Sequence, residues 1–154
     1  MDKDALKTAM MTSISDVLET MFFMPLDVVT DGSDTPAALT GGIAATLTFS
    51  GPAHGSFALS LPESMARDIC ADFLGIDGQR VSLKDMTGTV KEMINMLAGN
   101  TLSLYDANVV FDLGVPESTA PETIAWEGGD IGETLCLTVQ TLSSHLTLAV
   151  LLND

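Results

Sequence analysis

Between Ser82 and Asp106 the apolar residues recur at the spacing of an α-helix. At about 100° per residue, with Met86 set at zero, Val90, Met93, Leu97, Thr101 and Leu104 all fall within about 60° of it. A helix of this length runs roughly 35 Å, and its one-sided stripe has to be covered by a second layer along its length. The reverse face carries Gly88, Glu92, Asn95, Gly99 and Asp106, with Leu102 projecting to the same side. Ser82 followed by Asp85 gives the helix a capping arrangement at its start.

The rest of the chain supplies that second layer. Ile43, Ala45, Leu47 and Phe49 alternate with smaller residues, as do Phe57, Leu59 and Leu61, and Gly51-Pro52-Ala53-His54-Gly55 between them suits a hairpin connection. Three further strands are predicted over Glu122–Glu127, Glu133–Leu142 and His145–Leu152, with Ser143-Ser144 turning between the last two. A first helix is predicted over about Asp4–Phe23, stopped by Pro25, and a short one over Pro62–Leu74, closed by Gly75. Thr30–Gly42 and Asn108–Pro121 read as irregular connections, because glycine, proline and small polar residues gather there. Runs of strands, rather than strict strand–helix–strand alternation, predict an α+β fold with a mostly antiparallel sheet packed by helices. At 154 residues, without repeats or low-complexity tracts, the expectation is a single domain over 1–154.

Charge narrows the partners. Six basic residues against 21 acidic ones leave a net charge of −15. So few cations cannot neutralise a phosphate backbone, so no nucleic-acid partner is expected, and an anionic membrane surface is disfavoured too. The mean hydropathy of +0.33 is high, yet no stretch approaches the roughly 20 apolar residues of a spanning helix, so no membrane insertion is expected. Met1-Asp2-Lys3-Asp4 lacks the basic start and apolar run of a signal peptide, and the expected location is cytoplasmic. Cys70 and Cys136 each fall in an apolar-patterned element, which predicts buried, reduced thiols.

Glu92 and Asn95 are i and i+3, hence neighbours on the helix surface. An amide can accept a hydrogen bond from a water and donate one to a phosphoryl oxygen, so Asn95 can orient a nucleophile without titrating. Glu92 can pair with a partner's lysine or hydrogen-bond the water. Lacking a cation, this face needs the electrostatic load carried by its substrate. Gly88 and Gly99 flank the pair, although a mid-helix glycine costs roughly 1 kcal/mol relative to alanine. Either they keep the surface low for a partner's backbone, or they fray or pack against a neighbouring loop. Met96 lies at the edge of the face and can adapt to a partner. Asp106 is either a solvated charge or a contact for a basic surface. His54 and His145 have no cysteine or carboxylate cluster at ligand spacing, so no metal site is expected.

The stretch Glu92-Met93-Ile94-Asn95-Met96-Leu97-Ala98-Gly99-Asn100 resembles the E-x-x-N-x-x-x-G-N helix of the CheC/CheX/FliY chemotaxis phosphatases. Phe111-Asp112-Leu113-Gly114-Val115-Pro116 is similar to the apolar-then-proline segment that follows that helix, and Val17-Leu18-Glu19-Thr20-Met21 to the first helix of CheX-type domains. A single E-x-x-N fits CheX better than CheC; Gly88 stands where CheC often has Asp or Ser, and Glu19 has Phe22, not Asn, three residues on. The resemblance implies hydrolysis of the aspartyl phosphate on a CheY-like receiver domain. Glu92 and Asn95 would be catalytic, with Gly88, Met96 and Gly99 as partner contacts. It implies no cofactor of the chain's own, magnesium arriving with the phosphorylated receiver, and a homodimer assembled through the sheet. The alternatives are a non-catalytic receiver-binding or flagellar-switch-like module, and, more weakly, a hydrolase of small phosphate esters.

Overall fold

The alternation in 43–49 and 57–61 puts one row of each strand against helices, and a computed structural model of the chain shows the layer that results. Residues 2–21, 28–31, 42–120, 133–140 and 145–153 are described by it. The elements are α1 (Lys3–Met21), β1 (Val28–Asp31), β2 (Gly42–Ser50), β3 (His54–Pro62), α2 (Glu63–Leu74), a 3-10 turn (Gly78–Arg80), α3 (Leu83–Tyr105), β4 (Asp112–Leu113), β5 (Glu117–Thr119), β6 (Glu133–Gln140) and β7 (His145–Asn153). The seven strands among the described residues form one sheet in the order β1-β6-β7-β3-β2-β4, with β5 also on β2. Every pairing is antiparallel. The fold is α+β, as the pattern predicts.

The core lies between the sheet and the helices. Leu47, Phe57, Leu59, Leu148 and Val150 come from the strands, and Leu6, Met10, Ile14, Ile69, Met93 and Leu97 from the helices. Each large side chain buried there contributes about 1.5–3 kcal/mol. The other sheet face carries small residues, with Ala58, Cys136 and Ala149 in a separate buried cluster. Both cysteines are buried thiols outside any disulfide, as expected.

The sequence misplaces some elements. Thr30 and Asp31 are not loop but the end of β1, where Thr30 pairs with Thr138 and Asp31 with Leu137. Gly42 opens β2, opposite Pro62. The 108–121 connection is not wholly irregular, since β4 and β5 add to the edge of β2. A strand of two or three residues has no periodicity to detect. The expected strand Glu122–Glu127, the turn Ser143-Ser144 and the stop at Pro25 lie outside the described residues.

Candidate functional site on α3

The long helix is fixed at its start by the capping box its sequence promises. Ser82 Oγ accepts from the Asp85 N–H at 3.1 Å, and Asp85 Oδ2 accepts from the Ser82 N–H at 3.1 Å. That backbone hydrogen bond, followed by the one from the Ser82 side chain, holds the Asp85 carboxyl below the usual carboxylate range. Just before it, Arg67 Nη1 donates to the carbonyls of Gly78 and Val81, both at 3.0 Å, securing the entry. At the far end the Asp106 N–H donates to the Leu102 carbonyl at 3.1 Å, and Asp106 Oδ1 accepts from the Asn108 N–H at 2.9 Å.

Rotation about the axis is set by neighbours on both flanks. Ser13 Oγ of α1 donates to the Leu97 carbonyl at 3.1 Å and accepts from Asn100 Nδ2 at 3.3 Å. On the α2 flank, Thr89 Oγ1 donates to Cys70 Sγ at 3.1 Å, fully inside the contact. Held this way, α3 turns Gly88 and Glu92 to solvent and leaves Asn95, Met96 and Gly99 half-buried. Neither Glu92 nor Asn95 makes a side-chain hydrogen bond among the described residues. The carboxylate and the amide therefore face outward with their bonding capacity unspent.

Two positions depart from the helical-wheel expectation. Leu104, assigned to the core stripe, is 47% exposed, and Leu102, assigned to the polar side, is 3% exposed. The wheel assumes one covering layer. Here α3 is covered by the sheet and by α1 and α2, so burial wraps more of it. Near its end one side of the helix meets the start of α1, where Leu104 and Tyr105 border a shallow groove with Asp4 and Thr8.

The flanking glycines differ. A Cβ at Gly88 would meet nothing within 4 Å, so no neighbour in the fold requires glycine there. At Gly99 a Cβ would lie in ordinary contact, 3.7 Å from Leu113 Cδ1, so the loop beside it is indeed close. Both glycines border depressions. One, of about 420 Å³, runs past Phe73, Leu74, Lys84, Gly88 and Glu92. The other, of about 320 Å³, lies between Gly99 and Leu102 on α3 and Phe111 and Leu113 beyond it. Phe111 is held there by an edge-on contact with Phe49, 6.0 Å between ring centres. Sequence reasoning missed Phe73 and Leu74 as surface residues beside Glu92; the signal was an apolar pair directly before the helix-ending Gly75.

Among the described residues no group of three His, Cys, Asp or Glu side chains is placed to hold a metal ion. No described helix is long and apolar enough to cross a membrane.

A family model described as the chemotaxis phosphatase CheX matches residues 43–135, more than half of the chain and all of α3. The chain belongs to the CheX family. Solved structures share the CheX fold over nearly the whole length. The CheX of the CheX–CheY–BeF3–Mg complex from Borrelia burgdorferi is 16% identical, with TM-score 0.79, covering 97% of this chain and 98% of that one. A CheC-like protein from Shewanella sp. PV-4 is 22% identical, with TM-score 0.79 and full coverage of both chains. CheX from Vibrio vulnificus is 18% identical, with TM-score 0.78, covering 96% and 99%. At these identities the likeness establishes the fold. A search of curated proteins finds no match.

Proposed function

We propose that this chain hydrolyses the aspartyl phosphate of a CheY-like receiver domain. The observation that carries the proposal is the Glu92/Asn95 pair: outward-facing, one helical turn apart, without hydrogen bonds of its own, and inside the matched CheX region. The partner class is suggested by the Borrelia relative, which was crystallised with CheY, BeF3 and magnesium.

In the proposed step α3 lies along the receiver's phosphorylated face. The Asn95 amide accepts from a water and donates to the phosphoryl group, holding the water oxygen in line with phosphorus. That oxygen attacks phosphorus, the bond from phosphorus to the aspartyl oxygen breaks, and the aspartate leaves as carboxylate. Inorganic phosphate departs with the water's remaining hydrogen, and the second proton passes to phosphate or solvent. Glu92 engages the receiver's active-site lysine, which anchors the helix and keeps the carboxylate away from the phosphate charge. The magnesium belongs to the phosphorylated substrate. Gly88, Met96 and Gly99 border the contact. A homodimer formed through the sheet is part of the same proposal.

The test is the decay of acyl phosphate on a purified CheY-type receiver from the same organism. Wild type should accelerate decay, and Asn95→Ala should remove most of the acceleration. Full acceleration by Asn95→Ala overturns the assignment; binding of the phosphorylated receiver without acceleration by wild type points instead to a receiver-binding module.

A further inference from the structure

The geometry points to a second contact on α3: the groove beyond Gly99 receives one long basic side chain, lysine or arginine, of the docked receiver. This inference rests on the phosphatase reading above. Its walls are part apolar, from Leu102 on the helix and Val109, Phe111 and Leu113 beyond it, and part polar, with Ser103 among the lining residues. Asp106 lines the same groove.

Two sources of negative potential meet at that end. Asp106 is the C-cap of α3, and the helix has no basic residue in its last turn. The partial negative charge of the helix C-terminus is therefore not offset by a cation of the last turn. A groove that combines apolar side chains with a carboxylate-bearing residue and a helix C-terminus suits a side chain with a hydrocarbon stem and a charged head. A purely apolar side chain would leave the acidic end unmatched, and an acidic one would be repelled.

The position selects the owner of that side chain. Gly99 lies one turn past Asn95, about 6 Å along the axis, and Asp106 about 16 Å along it. A partner that presents a phosphoryl group to Asn95 and extends along α3 towards its C-terminus reaches this groove. A second copy of the chain is a poor occupant, because it carries six basic residues against 21 acidic ones. Arg67 among them is already committed to backbone carbonyls. Gly99 keeps the floor low: a Cβ there would fit against Leu113, whereas a longer side chain would enter the groove.

The experiment titrates a CheY-type receiver from the same organism, loaded with beryllofluoride and magnesium, into wild type, Asp106→Asn, Asp106→Lys and Gly99→Leu. Asp106→Lys should raise Kd about tenfold or more, with KM for the phosphorylated receiver rising in step. Asp106→Asn, which can keep the hydrogen bond from Asn108, should weaken binding less and flatten its salt dependence. Gly99→Leu should weaken binding without changing the salt dependence. Thermal unfolding identifies any variant that fails to fold, and a receiver with one surface lysine or arginine changed to glutamate should recover affinity for Asp106→Lys. Unchanged Kd and KM in the folded variants, while Asn95→Ala still loses turnover, would overturn the groove and leave the phosphatase reading standing. A change in self-association without a change in receiver affinity would assign the groove to a second copy and overturn it equally.

Discussion

The hydroxyl of Ser13 donates to the carbonyl of Leu97 at 3.1 Å across the α1–α3 contact, and both residues are fully buried. The same oxygen accepts from Asn100 Nδ2, so one atom joins α1 to two positions on the back of the candidate site. Ser13→Ala removes both bonds and leaves the part-buried Asn100 amide without this partner. The expected cost is about 1–2 kcal/mol of stability, read from denaturant unfolding. Because the bond also fixes the rotation of α3, turnover on a phosphorylated receiver should fall even below the unfolding midpoint.

Gly88 and Gly55 respond in opposite ways to the same change. At Gly88 the added methyl meets open space, so Gly88→Ala should raise helix stability by about 1 kcal/mol. If glycine is there to admit a partner's backbone, the same variant raises KM for the receiver. At Gly55, where β3 pairs with Leu152 of β7, a Cβ would run into the Leu151 carbonyl. Gly55→Ala should destabilise by about 1–3 kcal/mol. Thermal unfolding of the two variants separates a glycine kept for the fold from one kept for the surface.

These contrasts bear on what a sequence reader can see. The start of α3 was legible because Ser82 and Asp85 cap it locally, three residues apart. The alternation of β2 and β3 was legible because each buries one face against helices. β1 was not, since four residues become a strand only by pairing with β6, more than a hundred positions away. Leu102 and Leu104 exchanged roles because a helical wheel holds no record of α1 and α2 flanking the helix. Glu92 and Asn95 stood out through a family motif, and the groove beside Gly99 exists only once Phe111 and Leu113 return to the sheet edge.

Acid should loosen the start of α3. The Asp85 carboxyl is held below its ordinary value chiefly by the Ser82 N–H. A depressed folded-state pKa means the ionised group stabilises the fold above the unfolded-state value near 4, and that contribution fades as pH falls through the folded value. Asp85→Asn should therefore unfold at lower temperature than wild type at pH 7, and the difference should narrow at pH 3. A constant difference across that range would show that the carboxylate charge contributes nothing to the cap.

The roles proposed for Glu92 and Asn95 predict different kinetic signatures. A water-orienting amide acts at the reacting centre, so Asn95→Ala should lower kcat by about a hundredfold or more while the beryllofluoride-loaded receiver still binds. Asn95→Asp should be worse than alanine, because a carboxylate placed against the phosphoryl oxygens adds repulsion to the lost donor. Glu92 is assigned to the receiver's lysine, so Glu92→Gln should raise KM several-fold and reduce the salt dependence of binding, with a smaller effect on kcat. A Glu92→Gln variant that loses kcat and keeps KM would instead give the carboxylate a share in handling the water. Single-turnover decay of the acyl phosphate, run at saturating and limiting enzyme, distinguishes the two assignments.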